Sequence, residues 1–101
     1  MWVLVLFDLP TETKAERKLY SNFRKDLLKD GFGMMQYSVY ARNCASGESA
    51  SVHIGRVRSR VPEEGLVSIV KITDKQFGEA INLVGRKRKL PPPPMLQLEL
   101  F

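Results

Sequence analysis

The chain predicts an α+β fold, an antiparallel sheet with two helices on one face. Three observations carry that prediction. Two apolar, β-branched runs, Trp2 to Phe7 and Leu66 to Thr73, read as strands near the two ends of the folded part. Two amphipathic stretches follow helix-capping residues. Between them, Phe32 to Arg42 is rich in aromatic and β-branched residues, and so favours strand. The order is strand, helix, strand pair, helix, strand.

The first strand is six unbroken apolar residues ending at Asp8. Pro10 has no N–H to donate to a sheet, so the strand stops there. Asp8 therefore leaves the core on a rigid support and still reaches solvent, where it can serve as a metal ligand or polar anchor. The plain alternative is a turn carboxylate, since Asp is frequent after strands. Thr13 and Glu16 have capping-box spacing, so a helix follows. Ala15, Leu19, Tyr20, Phe23, Leu27 and Leu28 recur at helical period as its apolar stripe. Lys14, Arg17, Lys18, Arg24 and Lys25 read as a solvated face. Of these, Lys14, Arg17 and Lys18 lie close enough to Asp8 in the chain to meet phosphates. Asp30-Gly31 ends the helix, Gly31 being free to adopt a left-handed cap.

The segment Phe32–Arg42 is one kinked strand or two short ones broken near Gln36-Tyr37, with Met34 and Met35 as core filler. Ser46 or Ser49 caps a second helix running to about Arg60. Ala50, Ile54, Val57 and Val61 form its apolar face, and His53 is expected on its partly exposed flank. Pro62 stops it. After the strand from Leu66, residues 74–77 form a turn or one helical turn, and Ile81 to Gly85 a further strand. The order βαββαβ matches the ferredoxin-like motif. The expected organisation is a domain over 1–85, a basic and proline-rich linker over 86–94 and a terminal strand over 95–101. In the linker, Arg86, Lys87, Arg88 and Lys89 are a solvated run or a phosphate contact. Pro91 to Pro94 impose an extended spacer. Leu96, Leu98, Leu100 and Phe101 form the apolar alternation of a half-buried strand, suited to adding to the edge of a partner's sheet.

With 101 residues, the chain has room for one domain, and help from a partner subunit is natural at this size. A net charge of +5 favours anionic partners, nucleic acid above all. The single Cys and single His exclude an intrachain disulfide and a cysteine-built zinc site. Any metal would be held by oxygen, which points to Mg2+ or Mn2+. No run approaches the length of a membrane span and the start lacks a signal-peptide pattern, so a cytoplasmic protein with no membrane partner is expected.

Four motifs together resemble the CRISPR-associated Cas-two family. They are Phe7-Asp8-Leu9-Pro10 before a basic helix, Gly-Phe-x-Met-x-Gln-x-Ser-Val-Tyr over Gly31 to Tyr40, Pro-x-x-Gly-Leu-Val over Pro62 to Val67, and Thr73-Asp74-Lys75-Gln76-Phe77. The similarity is greatest to the form found with type II systems and covers the chain through Gly85. The resemblance implies a ferredoxin-like homodimer in which Asp8 of each copy faces the other across the two-fold axis. It implies spacer acquisition, with a dimer that holds double-stranded DNA and bridges the larger CRISPR integrase subunit. It also implies metal-dependent endonuclease activity, on single-stranded RNA or on DNA.

Two functions follow. In a DNA-binding scaffold, the cations of the first helix and of 86–89 contact phosphates and the terminal strand docks a partner. In a Mg2+-dependent phosphodiesterase, two Asp8 carboxylates hold the metal, Arg17 and Arg42 clamp phosphoryl oxygens, and Ser38 and Tyr40 shape the site. No general base is evident beside Asp8, which weighs against hydrolysis as the main role.

Overall fold

A computed structural model describes residues 1–87. Its elements are β1 (Trp2–Asp8), α1 (Lys14–Lys29), β2 (Gly33–Gln36), β3 (Val39–Asn43), α2 (Gly47–Arg58), β4 (Leu66–Ile72) and a short α3 (Asp74–Gly78). The strands form one sheet in the order β2-β3-β1-β4, each neighbouring pair antiparallel. This is the ferredoxin-like α+β arrangement.

Alternation along β1 divides its side chains between two faces. Val3, Val5 and Phe7 point to the helix-covered face, where they pack with Phe23 and Leu27 of α1, Ala50 and Val57 of α2, and Tyr40 of β3. The Phe7 ring meets Phe23 edge-on at 5.0 Å. Trp2 and Leu4 point the other way and cluster with Ala41, Met35 and Ile72. Phe77 of α3 closes one end of this second face by stacking on Trp2 at 3.9 Å.

Local chemistry explains the boundaries. Thr13 Oγ1 accepts from the Glu16 amide, and Glu16 Oε1 accepts from the Thr13 amide, so both halves of the expected capping box are made. Gly31 follows α1 with a φ of 87°, and a Cβ there would also collide with the Arg42 guanidinium. The conformation favours glycine, whereas the flexible Arg42 side chain could swing aside. The middle β region is two strands, β2 and β3, joined at Tyr37-Ser38, where Ser38 has a φ of 63°. Ser46 is the cap of α2, accepting from the Ser49 amide.

The structure departs from the sequence expectations in three places. Ile81 to Gly85 is not a strand: Ile81 and Leu83 are 84% and 91% exposed. Apolar composition alone makes no strand where no neighbouring strand supplies a ladder. Val61 lies beyond the end of α2 and is exposed, so it is not part of that helix's buried stripe. His53 is buried rather than on an exposed flank, and takes the inward place between Ala50 and Val57. Residues 88–94 of the expected linker and the whole expected terminal strand, with Arg88, Lys89, Leu96, Leu98, Leu100 and Phe101, lie outside the described residues. Among the described residues no helix is long and apolar enough to cross a membrane.

Candidate functional site

Asp8 is the last residue of β1, paired in register with Leu66. It is exposed and shares the face of Leu4 and Leu6, away from α1 and α2. Around it that face is apolar and open: Leu66 is 68% exposed, and Leu6 and Val70 are also exposed. The Asp8 carboxylate thus stands at the corner of a bare hydrophobic surface. Among the described residues no three His, Cys, Asp or Glu side chains gather into a metal site. An exposed carboxylate is the donor type that Mg2+ takes, an ion that keeps several waters and is held through one or two carboxylates.

Of the residues expected to work with Asp8, the fold brings some near and sends others away. The carbonyl of Ser38 accepts from the Phe7 amide at 3.0 Å, which fixes the β2–β3 turn beside the end of β1. Ser38 Oγ also shares a hydrogen bond with the Tyr20 hydroxyl at 3.1 Å. Arg17 lies at the start of α1 and donates to the carbonyls of Thr11 and Glu12, at 3.3 and 2.9 Å. It straps the loop that leaves Asp8.

Tyr40 and Arg42 do not belong to the Asp8 site within one chain. Tyr40 is 1% exposed in the helix-side core, paired with Val5. Burial raises its hydroxyl pKa against the lowering effect of Arg24, so it stays neutral and inaccessible. Arg42 pairs with Val3, five residues back along β1, which is about 17 Å from Asp8. It also lies on the opposite face, over Gly31. The motif around Tyr40 marked a real structural unit, but alternation of side chains puts its tyrosine in the core.

The cations of α1 form a more coherent feature. At 100° per residue, Lys14, Lys18, Lys25 and Lys29 fall within about 60° of one another and about 120–180° from the buried Phe23. All four are exposed. The stripe extends about 22 Å at 1.5 Å per residue. Lys14 and Lys18 were expected as phosphate contacts. Lys25 and Lys29 were not, although the same helical count finds them. Arg86 and Lys87 are exposed at the end of the described residues.

A second charged group was not foreseen. Asp30 receives His53 Nδ1 at 2.8 Å and Arg56 Nη1 at 2.7 Å, and Asp26 pairs with Arg60 at 2.9 Å. These bonds join α1 to α2 beside a cleft of about 200 Å3. Burial raises the Asp30 pKa, but the bonds and charges of His53 and Arg56 outweigh it and hold the carboxyl below its ordinary value. The ionised Asp30 can only accept, so His53 Nδ1 carries the proton. The pairs are mutually satisfied and read as structural.

Comparison with known proteins agrees with this geometry. The family model described as CRISPR associated protein Cas2 matches residues 1–80. A protein of Flavobacterium psychrophilum named CRISPR-associated endoribonuclease Cas2 is 54% identical over 101 residues, covering 100% of this chain and 88% of its own length. A Parvibaculum lavamentivorans protein of the same name is also 54% identical, with 100% of both chains covered. Among solved structures, Streptococcus pyogenes Cas2, crystallised at pH 6.5, is similar with a TM-score of 0.63 and 26% identity. That match covers 84% of this chain and 100% of the other. A four-stranded sheet with Asp8 at the end of its first strand, and full-length identity above half, make this chain a member of the CRISPR-associated Cas2 family.

Proposed function

We propose that the protein acts in CRISPR spacer acquisition as a homodimeric scaffold that binds double-stranded DNA and bridges copies of the larger integrase subunit. The observation that carries the DNA-binding part is the α1 lysine stripe, placed directly opposite the helix's buried face. Four exposed ammonium groups along a rigid rod suit a phosphate backbone. They contact charge rather than base edges, so binding is sequence-tolerant and salt-sensitive. The bare sheet face with Leu6, Leu66 and Val70 supports the dimer, because a second copy would cover it. Family membership supports the CRISPR role.

A second reading, metal-dependent nuclease activity, is favoured by Asp8 itself and by the names of the similar proteins. Stacking two copies on the open face brings their Asp8 residues to a shared border. Both carboxylates would hold Mg2+ or Mn2+, which when bound supplies Lewis-acid polarisation of a phosphate or an activated water. Asp8 is positioned by the β1 ladder, and Arg17 keeps the adjoining loop in place through Thr11 and Glu12.

One experiment tests both readings. Purified wild type and Asp8→Ala are compared for cleavage of double-stranded DNA and single-stranded RNA with Mg2+, Mn2+ or a chelator, and for DNA binding. The scaffold reading expects salt-sensitive DNA binding that survives Asp8→Ala; its absence in wild type overturns that reading. The nuclease reading expects metal-dependent cleavage that Asp8→Ala abolishes. Cleavage that persists undiminished in the variant removes it.

A further inference from the structure

A groove of about 610 Å3 opens where the loop after β1 meets the segment before β4. Its apolar lining includes Pro10, Leu19, Val61 and Pro62, and Leu19 is 52% exposed there. The charged residues lining it are Glu16, Glu63 and Glu64, with no Lys or Arg among them. On a chain of net charge +5, this is an acid-rimmed apolar trough. It repels phosphate, so it lies outside the nucleic-acid surface described above. The trough asks for a segment that is cationic and apolar by turns.

We propose that this groove receives the chain's own segment 88–94. That segment reads Arg-Lys-Leu-Pro-Pro-Pro-Pro, two cations followed by five apolar residues. The cations match Glu63 and Glu64, and the leucine and prolines match the floor. Proline-rich chain is already extended and loses little entropy on lying in a trough. The segment begins directly after Lys87, the last described residue, which is exposed.

Tryptic cleavage within residues 86–89 of the full chain measures the docking. At low salt, Glu63→Gln/Glu64→Gln should be cut roughly fivefold faster than wild type, the scale of a few surface charge pairs. Wild type in high salt should approach the variant's rate, after correction with a small peptide substrate for salt effects on trypsin. Glu48→Gln, an equal loss of charge per site on exposed α2, should leave the rate unchanged. Leu19→Ser should accelerate cutting through the apolar floor, with circular dichroism confirming each fold. Equal rates for wild type, Glu63→Gln/Glu64→Gln and Leu19→Ser overturn the proposal and leave the groove to a separate protein. Equal acceleration by Glu48→Gln also overturns it, because general charge then explains the effect.

Discussion

Asp30 shows how one side chain can join two helices. Its side chain is 15% exposed, and its two oxygens receive different residues of α2. Truncation by Asp30→Ala leaves His53 buried without its acceptor and should cost about 2 kcal/mol at pH 7. The pH dependence has a definite sign. A carboxyl held below its unfolded value, ordinarily about 3.9, stabilises the fold above that value and loses the contribution as it protonates on acidification. Urea denaturation of wild type and Asp30→Ala should show the full gap at pH 7 and a much smaller one near pH 2. A gap that does not narrow would show that packing, not charge, sets the cost. None of this was legible beforehand. Asp30 and His53 are 23 positions apart, and only the packing of α1 on α2 brings them together. The place of Asp8 at the end of β1, in contrast, was legible because strand, carboxylate and proline all lie within residues 2–10. Within one chain, alternation separates Tyr40 and Arg42 from Asp8: their register with Val5 and Val3 places them on the helix side, while Asp8 lies on the other.

Elements were legible wherever the signal was local. The Thr13 capping box, the Gly31 stop and the break expected near Gln36-Tyr37, found at Tyr37-Ser38, all depend on neighbours within a few residues. Ile81 to Gly85 was misread because a strand depends on a partner strand as well as on its own composition. Helix α1 holds much of the molecule together: its inner face supplies Phe23 and Leu27 to the core, while its outer face carries the lysine stripe. Its start is the point most easily tested. Thr13→Ala removes the acceptor for the Glu16 amide and should lower stability by about 1 kcal/mol. Thr13→Ser keeps an acceptor and should recover most of that loss. Thermal melts of the three proteins check it, and equal melting of Thr13→Ala and wild type would mean that Glu16 alone carries the cap.

At the scale of the whole molecule, the two faces of the sheet divide the work. One is sealed by α1 and α2, and the lysine stripe lies on the outside of that layer. The other carries Asp8, Leu6 and Leu66 and is the face on which we propose that a second copy packs. A dimer built there would turn its helices, and with them two lysine stripes, outward. The salt dependence of DNA binding can then count the stripes in use. Each phosphate contact adds about 0.9 to the slope of log affinity against log salt. Lys14→Gln/Lys18→Gln should reduce that slope by about 1.8 if one protomer lies on the duplex and by about 3.6 if both do. Fluorescence anisotropy with a short duplex over a salt series measures it. The smaller change describes a duplex lying along one flank of the dimer. The larger describes a duplex that reaches across both copies, the arrangement a bridging scaffold requires. An unchanged slope removes Lys14 and Lys18 from the interface and transfers the phosphate contacts to Arg86 and Lys87.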